Sequence, residues 1–386
     1  MDSSDISFSV EEVVFDASGV KRIYQSEQEV EGVKRGKFSQ EKEEEKEEEE
    51  VVKRAKFVME DINRVKEEVE VESKKQKSNK QKCRVLVTGD YNESRGSKST
   101  EIVLDAERSV KGPLMNVARY EHACVSLPNG NIGVFGGANE KESALASVEM
   151  FRMDGLFFSK TGEMLECRMG HAAVVTDGGI VVLSGGKDEN GKVLSSCECL
   201  DPENGEQWFC DADMMLARTR HTASLLPNGN ILFCGGSNGK NGVFSSTEIF
   251  DPVFGMSTVG PAMCKERADH TAATLPDGRI VISGGMGGES NGFQVVQSVE
   301  VYDPKTNSFT LVEDVSVNRH DHFAVTYPSG FVLLGGGGMF EMNVQAMQML
   351  SPDSRKVYSA QDSIKGRCMA AAATFHSTHS FDESNE

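Results

Sequence analysis

The chain has 386 residues, of which 60 are acidic and 41 are basic, and its net charge at pH 7 is −19. An acidic chain is a poor candidate for binding nucleic acid or an anionic membrane, because both of these partners are polyanions. The sequence contains no apolar stretch long enough for a membrane span or a secretory signal, so we expect a cytoplasmic protein.

Residues 1–82 differ from the rest of the chain because they are rich in Glu and Lys and poor in apolar side chains. Such a segment cannot bury enough apolar surface to fold alone, and we expect a charged extension that is largely disordered. Within it, Val, Ala and Ile recur at heptad spacings over residues 51–69. Two interpretations stay open: a short helix within 41–72 that self-associates weakly or binds a partner, and a solvated, transient helix. The basic run at 74–77 is a solubilising linker or, alternatively, a nuclear-import signal.

From residue 119 onward, one pattern recurs with a period of about 50 residues. Each unit contains Arg-x-x-His, an apolar strand, a tight turn that often carries Asn-Gly or Asp-Gly, and a second apolar strand that ends in Gly-Gly. A third strand with Ser-x-Glu and a fourth strand follow. The second strand is apolar nearly throughout, as in 231–234, which is typical of a strand buried on both faces. Each unit therefore predicts a four-stranded blade.

The two ends of this array complement each other. Residues 85–90 are a second strand with no first strand before it, and Arg367 to Phe375 are a first strand with no second strand after it. Pairing the two completes a sixth blade and closes a ring, which removes the open sheet edges. We therefore expect an all-β, six-bladed β-propeller over residues 83–377 that is closed by its C-terminal strand, with a disordered tail at 378–386.

These units resemble the kelch-repeat family over roughly residues 83–377. The hairpins with Leu-Pro-Asn-Gly are similar to those of galactose-oxidase-type kelch units. The resemblance implies a six-bladed kelch propeller that acts as an adaptor or scaffold for a protein or peptide partner, with cytoskeletal and ubiquitin-related proteins among the candidates. The chain departs from the family pattern because it has a single Trp, where kelch units keep a Trp in each fourth strand.

Side chains that recur in every unit are expected to be structural, because a catalytic group is needed only once. We therefore expect the histidines and the third-strand glutamates to stabilise the blades, with the glutamates bonded to the repeat arginines or to backbone amides. The arginines have a second interpretation, in which a partly exposed guanidinium binds a ligand carboxylate at the propeller face. They are Arg119, Arg168, Arg218, Arg267, Arg319 and Arg367.

Departures from the repeat are the better candidates for binding. Acidic residues stand directly before three of the histidines, at Glu121, Asp269 and Asp321, and one unit has an additional histidine, His320. The loops between second and third strands vary in length and charge and share one face with the blade connections, so we expect a partner to bind there. Their apolar candidates are Phe244, Phe293, Phe340 and Met342.

The sequence predicts no metal and no cofactor. Its nine cysteines follow no zinc or disulfide spacing, and we expect free thiols. The His320-Asp321-His322 run makes a poor chelate, because successive side chains of a strand point to opposite faces. The run of four glycines at 335–338 lacks the strand-to-helix context of a dinucleotide site.

Two classes of function remain open. The favoured one is a non-enzymatic scaffold or adaptor for protein–protein interaction, whose partner binds the face formed by the inter-blade connections and the loops between second and third strands. The alternative is an enzyme on the same ring that acts on a carbohydrate or an alcohol, of the isomerase or the oxidase type. An isomerase would recruit a polar cluster at the channel mouth from Glu121, Asp269, Arg267 and His320.

Overall fold

The computed structural model describes residues 14–15, 21–22, 82–91, 96–104, 108–202, 207–210, 213–239, 242–288, 294–339, 342–343, 347–359 and 367–377. The chain divides into two units, residues 1–78 and 79–386. In the first unit, Val14–Phe15 and Lys21–Arg22 form an antiparallel pair of short strands. The rest of the predicted N-terminal extension, with its helix in 41–72, lies outside the described residues, as does the predicted tail at 378–386.

The described residues of the second unit form six antiparallel sheets arranged as the blades of a propeller, each built on four strands. From the first to the fourth strand, blade 1 consists of Ala371–Ser377, Lys82–Thr88, Thr100–Val103 and Ser109–Lys111. Blade 2 consists of Ala123–Ser126, Ile132–Phe135, Leu145–Arg152 and Phe157–Arg168. Blade 3 consists of Ala172–Val175, Val181–Ser184, Cys197–Leu200 and Gln207–Phe209.

The other three blades follow the same plan. Blade 4 consists of Thr222–Leu225, Ile231–Cys234, Thr247–Asp251 and Met256–Val259. Blade 5 consists of Thr271–Thr274, Ile280–Ser283, Ser298–Asp303 and Ser308–Ser316, with a small hairpin of Met286–Gly287 and Gln294–Val295 beside it. Blade 6 consists of His320–Thr326, Val332–Met339, Gln348–Leu350 and Val357–Ser359, with Met342–Asn343 paired to its second strand.

The ring closes through its C-terminal strand. The strand Ala371–Ser377 pairs antiparallel with Lys82–Thr88, so that Ala371 lies opposite Thr88. Each first strand also contacts the first strands of both neighbouring blades, and Ala371–Ser377 completes this circle between blades 6 and 2. The predicted six-bladed propeller and its closure by the C-terminal strand are confirmed.

Apolar second strands build the core between neighbouring blades. Val85 and Val87 pack against Phe323 of blade 6, whereas Leu86, which points to the opposite face, packs against Val134 of blade 2. Alternate residues of one strand therefore serve two different interfaces, which explains why the sequence shows no polar alternation there. Phenylalanines fill several of these interfaces, and each fully buried one contributes roughly 1.5–3 kcal/mol by leaving water.

The Gly-Gly pairs are required by close backbone approach. Gly136 and Gly137 have φ values of 55° and 92°. A Cβ atom at Gly136 would lie 2.6 Å from the carbonyl oxygen of Arg168, where the connection to the next blade passes. Only glycine combines this left-handed backbone with so short a distance.

The antiparallel strand order defines two faces of the ring. One face, here called the connection face, carries the inter-blade connections, such as 112–119 and 260–267, and the loops between second and third strands, such as 136–144. The opposite face, here called the turn face, carries the remaining turns, such as 127–131 and 252–255. In the part of the chain that the structure describes, no helix has the length and apolar character needed to cross a membrane.

Candidate functional site

The repeat arginines are bonded within their own blades. Arg218 donates to the carbonyl oxygens of Gly235 and Ser246 at 2.8 and 2.9 Å and to the carboxylate of Glu248 at 3.0 Å. Its own carbonyl oxygen accepts a hydrogen bond from the amide of Gly186, in the preceding blade. The arginine therefore joins the Gly pair and the third strand of its blade to the neighbouring blade.

Burial removes these arginines from the connection face. Four of the six are 0 % exposed, and Arg319 and Arg367 are 3 % and 4 % exposed. Their partners are the third-strand residues Glu149, Glu198, Glu248, Glu300, Gln348 and Glu101. A guanidinium in this position offers no surface to a ligand carboxylate. We therefore leave Arg119, Arg168, Arg218, Arg267, Arg319 and Arg367 out of the proposed binding surface.

The same glutamates also hold the inter-blade connections. The two carboxylate oxygens of Glu248 accept hydrogen bonds from the amides of Met215 and Leu216, at 2.6 and 3.0 Å. Glu149, Glu198 and Glu300 accept equivalent bonds from the connections that precede their blades. The carboxylate thus fixes the backbone of the connection, whose side chains divide between buried ones, such as Met115 and Met214, and exposed ones.

Several of those solvent-facing side chains are apolar. Leu114, in the connection from blade 1 to blade 2, is 62 % exposed. Leu165, at the end of the fourth strand of blade 2, is 44 % exposed, and Met215, after blade 3, is 56 % exposed. The sequence analysis did not predict these residues as binding candidates, although the glutamate that fixes the neighbouring backbone recurs in the repeat and marks its position.

Among the described residues, four of the five repeat histidines, all except His171, form hydrogen bonds across the blade interfaces. Nε2 of His122 shares a hydrogen bond of 2.8 Å with the hydroxyl of Thr88, in the preceding blade, and His221 pairs in the same way with Ser184 at 2.9 Å. Burial, with the charge of a nearby arginine, lowers the pKa of His122, His171 and His270 to about 3. They are therefore neutral at pH 7 and act as structural groups.

The residues directly before the repeat histidines, and before Ala370 at the same position of blade 1, form a closed ring of backbone hydrogen bonds around the channel. The amide of each one donates to the carbonyl oxygen of its counterpart in the preceding blade, at 2.6 to 3.1 Å. All six have a left-handed backbone, with φ between 48° and 62°. This set, here called the channel ring, consists of Met369, Glu121, Gly170, Arg220, Asp269 and Asp321.

Side chains of the channel ring make an ion-pair network at the connection face. Arg220 donates to Glu121 at 2.5 Å and to Asp269 at 3.3 Å. To reach Glu121 in blade 2 from blade 4, Arg220 crosses over Gly170. A Cβ atom at Gly170 would lie 3.1 Å from Oε2 of Glu121 and 3.3 Å from Cγ of Arg220, so a glycine at this position keeps the path open.

One acidic member of the ring, Asp269, has a strongly perturbed pKa. Burial and the neighbouring carboxyl of Asp321 raise the pKa of Asp269 well above its usual value, although the charge of Arg220 acts in the opposite direction. The pKa of Arg220 itself is raised, because the charges of Asp269 and Glu121 outweigh the effect of burial. Asp321 also bonds Nδ1 of His320 at 2.7 Å. A carboxyl group with a strongly perturbed pKa at an opening is typical of functional sites.

A cavity of about 120 Å³ opens at this point and is lined by the channel ring and the histidine positions. The Glu121 side chain is 6 % exposed, and its Oε2 atom is buried without a hydrogen-bond partner among the described residues. Within the same residues, no group of three or more His, Cys, Asp or Glu side chains has the arrangement of a metal site.

The structure brings together some of the predicted site residues and separates others. Glu121, Asp269, Asp321 and His320 gather at the channel mouth, together with Arg220 and Met369, which sequence reasoning missed. Phe244 lies against Arg218, with the guanidinium carbon 5.2 Å from the ring centroid. Phe293 and Phe340 lie outside the described residues, and Met342 is described only by its backbone, in the short strand Met342–Asn343.

Comparison with known families gives one match. A family model described as the KLHDC2/KLHL20/DRC7 Kelch-repeats domain matches residues 121–336, which is more than half of the chain and extends from blade 2 into blade 6. A search of curated proteins finds no match.

Proposed function

The chain belongs to the kelch-repeat family, whose propellers commonly bind proteins, and on that premise we propose that it is a scaffold or adaptor that binds a protein partner on the connection face. The partner would be a folded protein or a peptide segment. The connection face is favoured because the repeat-breaking residues of the channel ring and the exposed apolar side chains of the connections both lie on it.

The observation that carries this proposal is the set of exposed apolar side chains at the connection-face ends of three successive blades. Leu114 and Met215 stand on the connections that follow blades 1 and 3, Leu165 stands near the end of the fourth strand of blade 2, and each is more than 40 % exposed. Neighbouring blades thus present neighbouring apolar groups on backbones that buried glutamates hold in place. Rigid apolar groups of this kind lose little entropy on binding and are typical of the centre of a protein interface.

The turn face provides a matched control. Val253 and Phe254 are 82 % and 74 % exposed, but they belong to a single turn of blade 4. They match the connection residues in polarity and exposure and differ in the face they occupy. A partner that binds the connection face should not respond to their replacement.

The experiment is affinity capture with the full chain, followed by identification and titration of the captured protein. We expect the double variant Met215→Ser/Leu165→Ser to weaken binding by at least tenfold, or about 1.4 kcal/mol, because truncating anchors at the centre of an interface has large effects. The control Val253→Ser/Phe254→Ser should bind like the wild type. If the two double variants retain the same partners with equal affinity, the connection face is not the binding surface.

One observation favours the enzymatic alternative. Asp269 has a raised pKa and lies beside Arg220 in a cavity that also contains Glu121, which is an arrangement suited to proton transfer. The test is to incubate the purified chain with panels of sugars and alcohols and to follow isomerisation and oxidation. Turnover that is lost in Asp269→Asn would support an enzyme, and turnover that is equal in wild type and variant would count against this site.

A further inference from the structure

We propose that the cavity at the channel mouth binds one cationic side chain of the partner, a primary ammonium such as that of lysine. This inference rests on the proposed function and adds the chemistry by which the partner is recognised. The cavity lies at the centre of the connection face, whereas the exposed apolar side chains of the proposed binding surface lie farther out, toward the blade connections.

The charge balance of the cavity favours a cation. Three carboxyl groups of the channel ring, from Glu121, Asp269 and Asp321, face one guanidinium, from Arg220. Arg220 is already paired with two of these carboxylates, and Asp321 is bonded to His320. Even with Asp269 counted as neutral, because burial raises its pKa, the carboxylates of Glu121 and Asp321 outnumber the single guanidinium. An incoming carboxylate would therefore be repelled, whereas an ammonium would be attracted.

An unsatisfied oxygen gives the ammonium a specific partner. One oxygen of Glu121 accepts from Arg220, but the other, Oε2, is buried at the cavity without a donor among the described residues. Buried carboxylate oxygens are normally hydrogen-bonded, so this atom indicates that a donor is supplied from outside the ring. An ammonium provides such donors as a compact group with a full positive charge.

The dimensions of the site agree with this ligand. The cavity of about 120 Å³ is several times the roughly 10–15 Å³ that one water molecule needs, which leaves room for an ammonium and the end of its aliphatic stem. Met369 lines the same opening and offers an apolar contact for that stem. The channel ring fixes the opening, since each of its six amides is bonded to the next blade.

The direct test uses n-pentylammonium, which reproduces the lysine side chain, and pentan-1-ol as its neutral counterpart. Both are titrated into the full wild-type chain at constant ionic strength, and binding is followed by NMR. We expect saturable binding of the ammonium in the millimolar range and none of the alcohol. If neither probe or both probes bind equally, the inference is wrong, and this comparison requires no variant.

A variant locates the site. Glu121→Gln keeps the shape of the side chain and its bond to Arg220 but removes the charge, and it should weaken ammonium binding by about tenfold. Glu140→Gln removes a charge from an exposed position of a connection-face loop in the same blade and should leave binding unchanged. Equal affinity of Glu121→Gln and wild type would overturn the assignment, and thermal melting of both variants verifies that they are folded.

The outcome separates this inference from the proposed function. If the connection-face variants abolish capture of a partner but pentylammonium does not bind, the adaptor function stands and the cationic ligand is wrong. If a partner is captured, replacing each of its lysines by methionine should identify one whose loss weakens binding to the wild-type chain and has little further effect on Glu121→Gln.

Discussion

The blade interiors and the channel ring have the same six-fold backbone, but they differ in how far their side chains repeat. Inside the blades, an arginine recurs six times and its glutamate partner five times, and all of these groups are buried. In the channel ring, the hydrogen bonds recur six times while the side chains are one Met, one Glu, one Gly, one Arg and two Asp. The backbone of the ring thus holds its geometry whatever side chain it carries.

Blade 6 shows what the repeated pair contributes. There the glutamate is replaced by Gln348, which bonds Arg319 at 3.0 Å. Without a carboxylate to compensate for burial, the pKa of Arg319 falls to about 10. The charged form of a buried arginine is thus stabilised by its carboxylate. We therefore expect substitutions inside the blades to lower the free energy of unfolding, and substitutions in the channel ring to alter the chemistry of the cavity instead.

Opening the ring should have the largest effect, because it interrupts both repeated features: the buried arginine pairs of the blades and the hydrogen bonds of the channel ring. A chain that ends at Gly366 lacks the strand Ala371–Ser377 and Arg367, so Lys82–Thr88 is left with an unpaired edge. We expect aggregation, or a large drop in melting temperature, measured by size-exclusion chromatography and calorimetry. A chain that ends at Ser377 is the control and should melt like the full chain. A shortened chain that melts normally after loss of the strand would contradict the closed ring.

Acid should destabilise the blade interiors. The pKa of His122, His171 and His270 is about 3 in the folded protein and about 6.5 when unfolded, so the unfolded chain binds more protons between these values. The stabilisation is complete above pH 6.5 and is lost as the pH falls, by about 2 kcal/mol for each histidine at pH 5. Urea unfolding at pH 7 and pH 5 measures this change.

A matched variant separates the histidine effect from other titrations. His171 is buried, and neither of its ring nitrogens has a partner among the described residues. Replacing it by Phe should therefore reduce the difference in unfolding free energy between pH 7 and pH 5 by about 2 kcal/mol. An unchanged difference would mean that this histidine is not kept neutral by burial.

The last pair of variants, one of which has the smallest expected effect, should distinguish interior from ring within a single blade. Glu300→Gln leaves the buried charge of Arg267 without its carboxylate and should cost about 3 kcal/mol of unfolding free energy. Asp269→Asn should change it by less than about 1 kcal/mol, because burial already favours the neutral form of this carboxyl. Chemical denaturation of the two variants gives both values. Equal costs would show that the ring is as structural as the interior.

Most of the fold could be predicted from the sequence because the repeat encodes it locally. Each unit contains its own turn, its Gly pair and its arginine, and the two incomplete ends, 85–90 and 367–375, match as strands of one blade. The pairing of the arginines with the third-strand glutamates was also predicted. Whether these arginines are structural or bind a ligand could not be predicted, because the answer depends on their burial, which a repeat pattern does not reveal.

The site could be predicted only in part. Glu121, Asp269 and Asp321 were singled out by their charge, but Arg220 and Met369 occupy the same repeat position and were missed, because only acidic residues were compared there. Alignment of the residue before each repeat histidine, and before Ala370 in the last unit, would have shown all six. The exposed side chains of Leu165 and Met215 could not be predicted, since their orientation follows from backbone hydrogen bonds to glutamates about 30 residues away.

Closure by the last strand has a consequence in time. The partners in blade 1 are far apart in the chain, since Thr88 bonds a residue 283 positions later. At a synthesis rate of about 5–20 residues per second, the strand Lys82–Thr88 waits for roughly 15–60 s before its partner leaves the ribosome. During that interval the newly made blades cannot form a ring, and the waiting strand is an open template for other nascent chains. We expect the yield of folded protein in cells to depend on chaperones that cover this strand during translation.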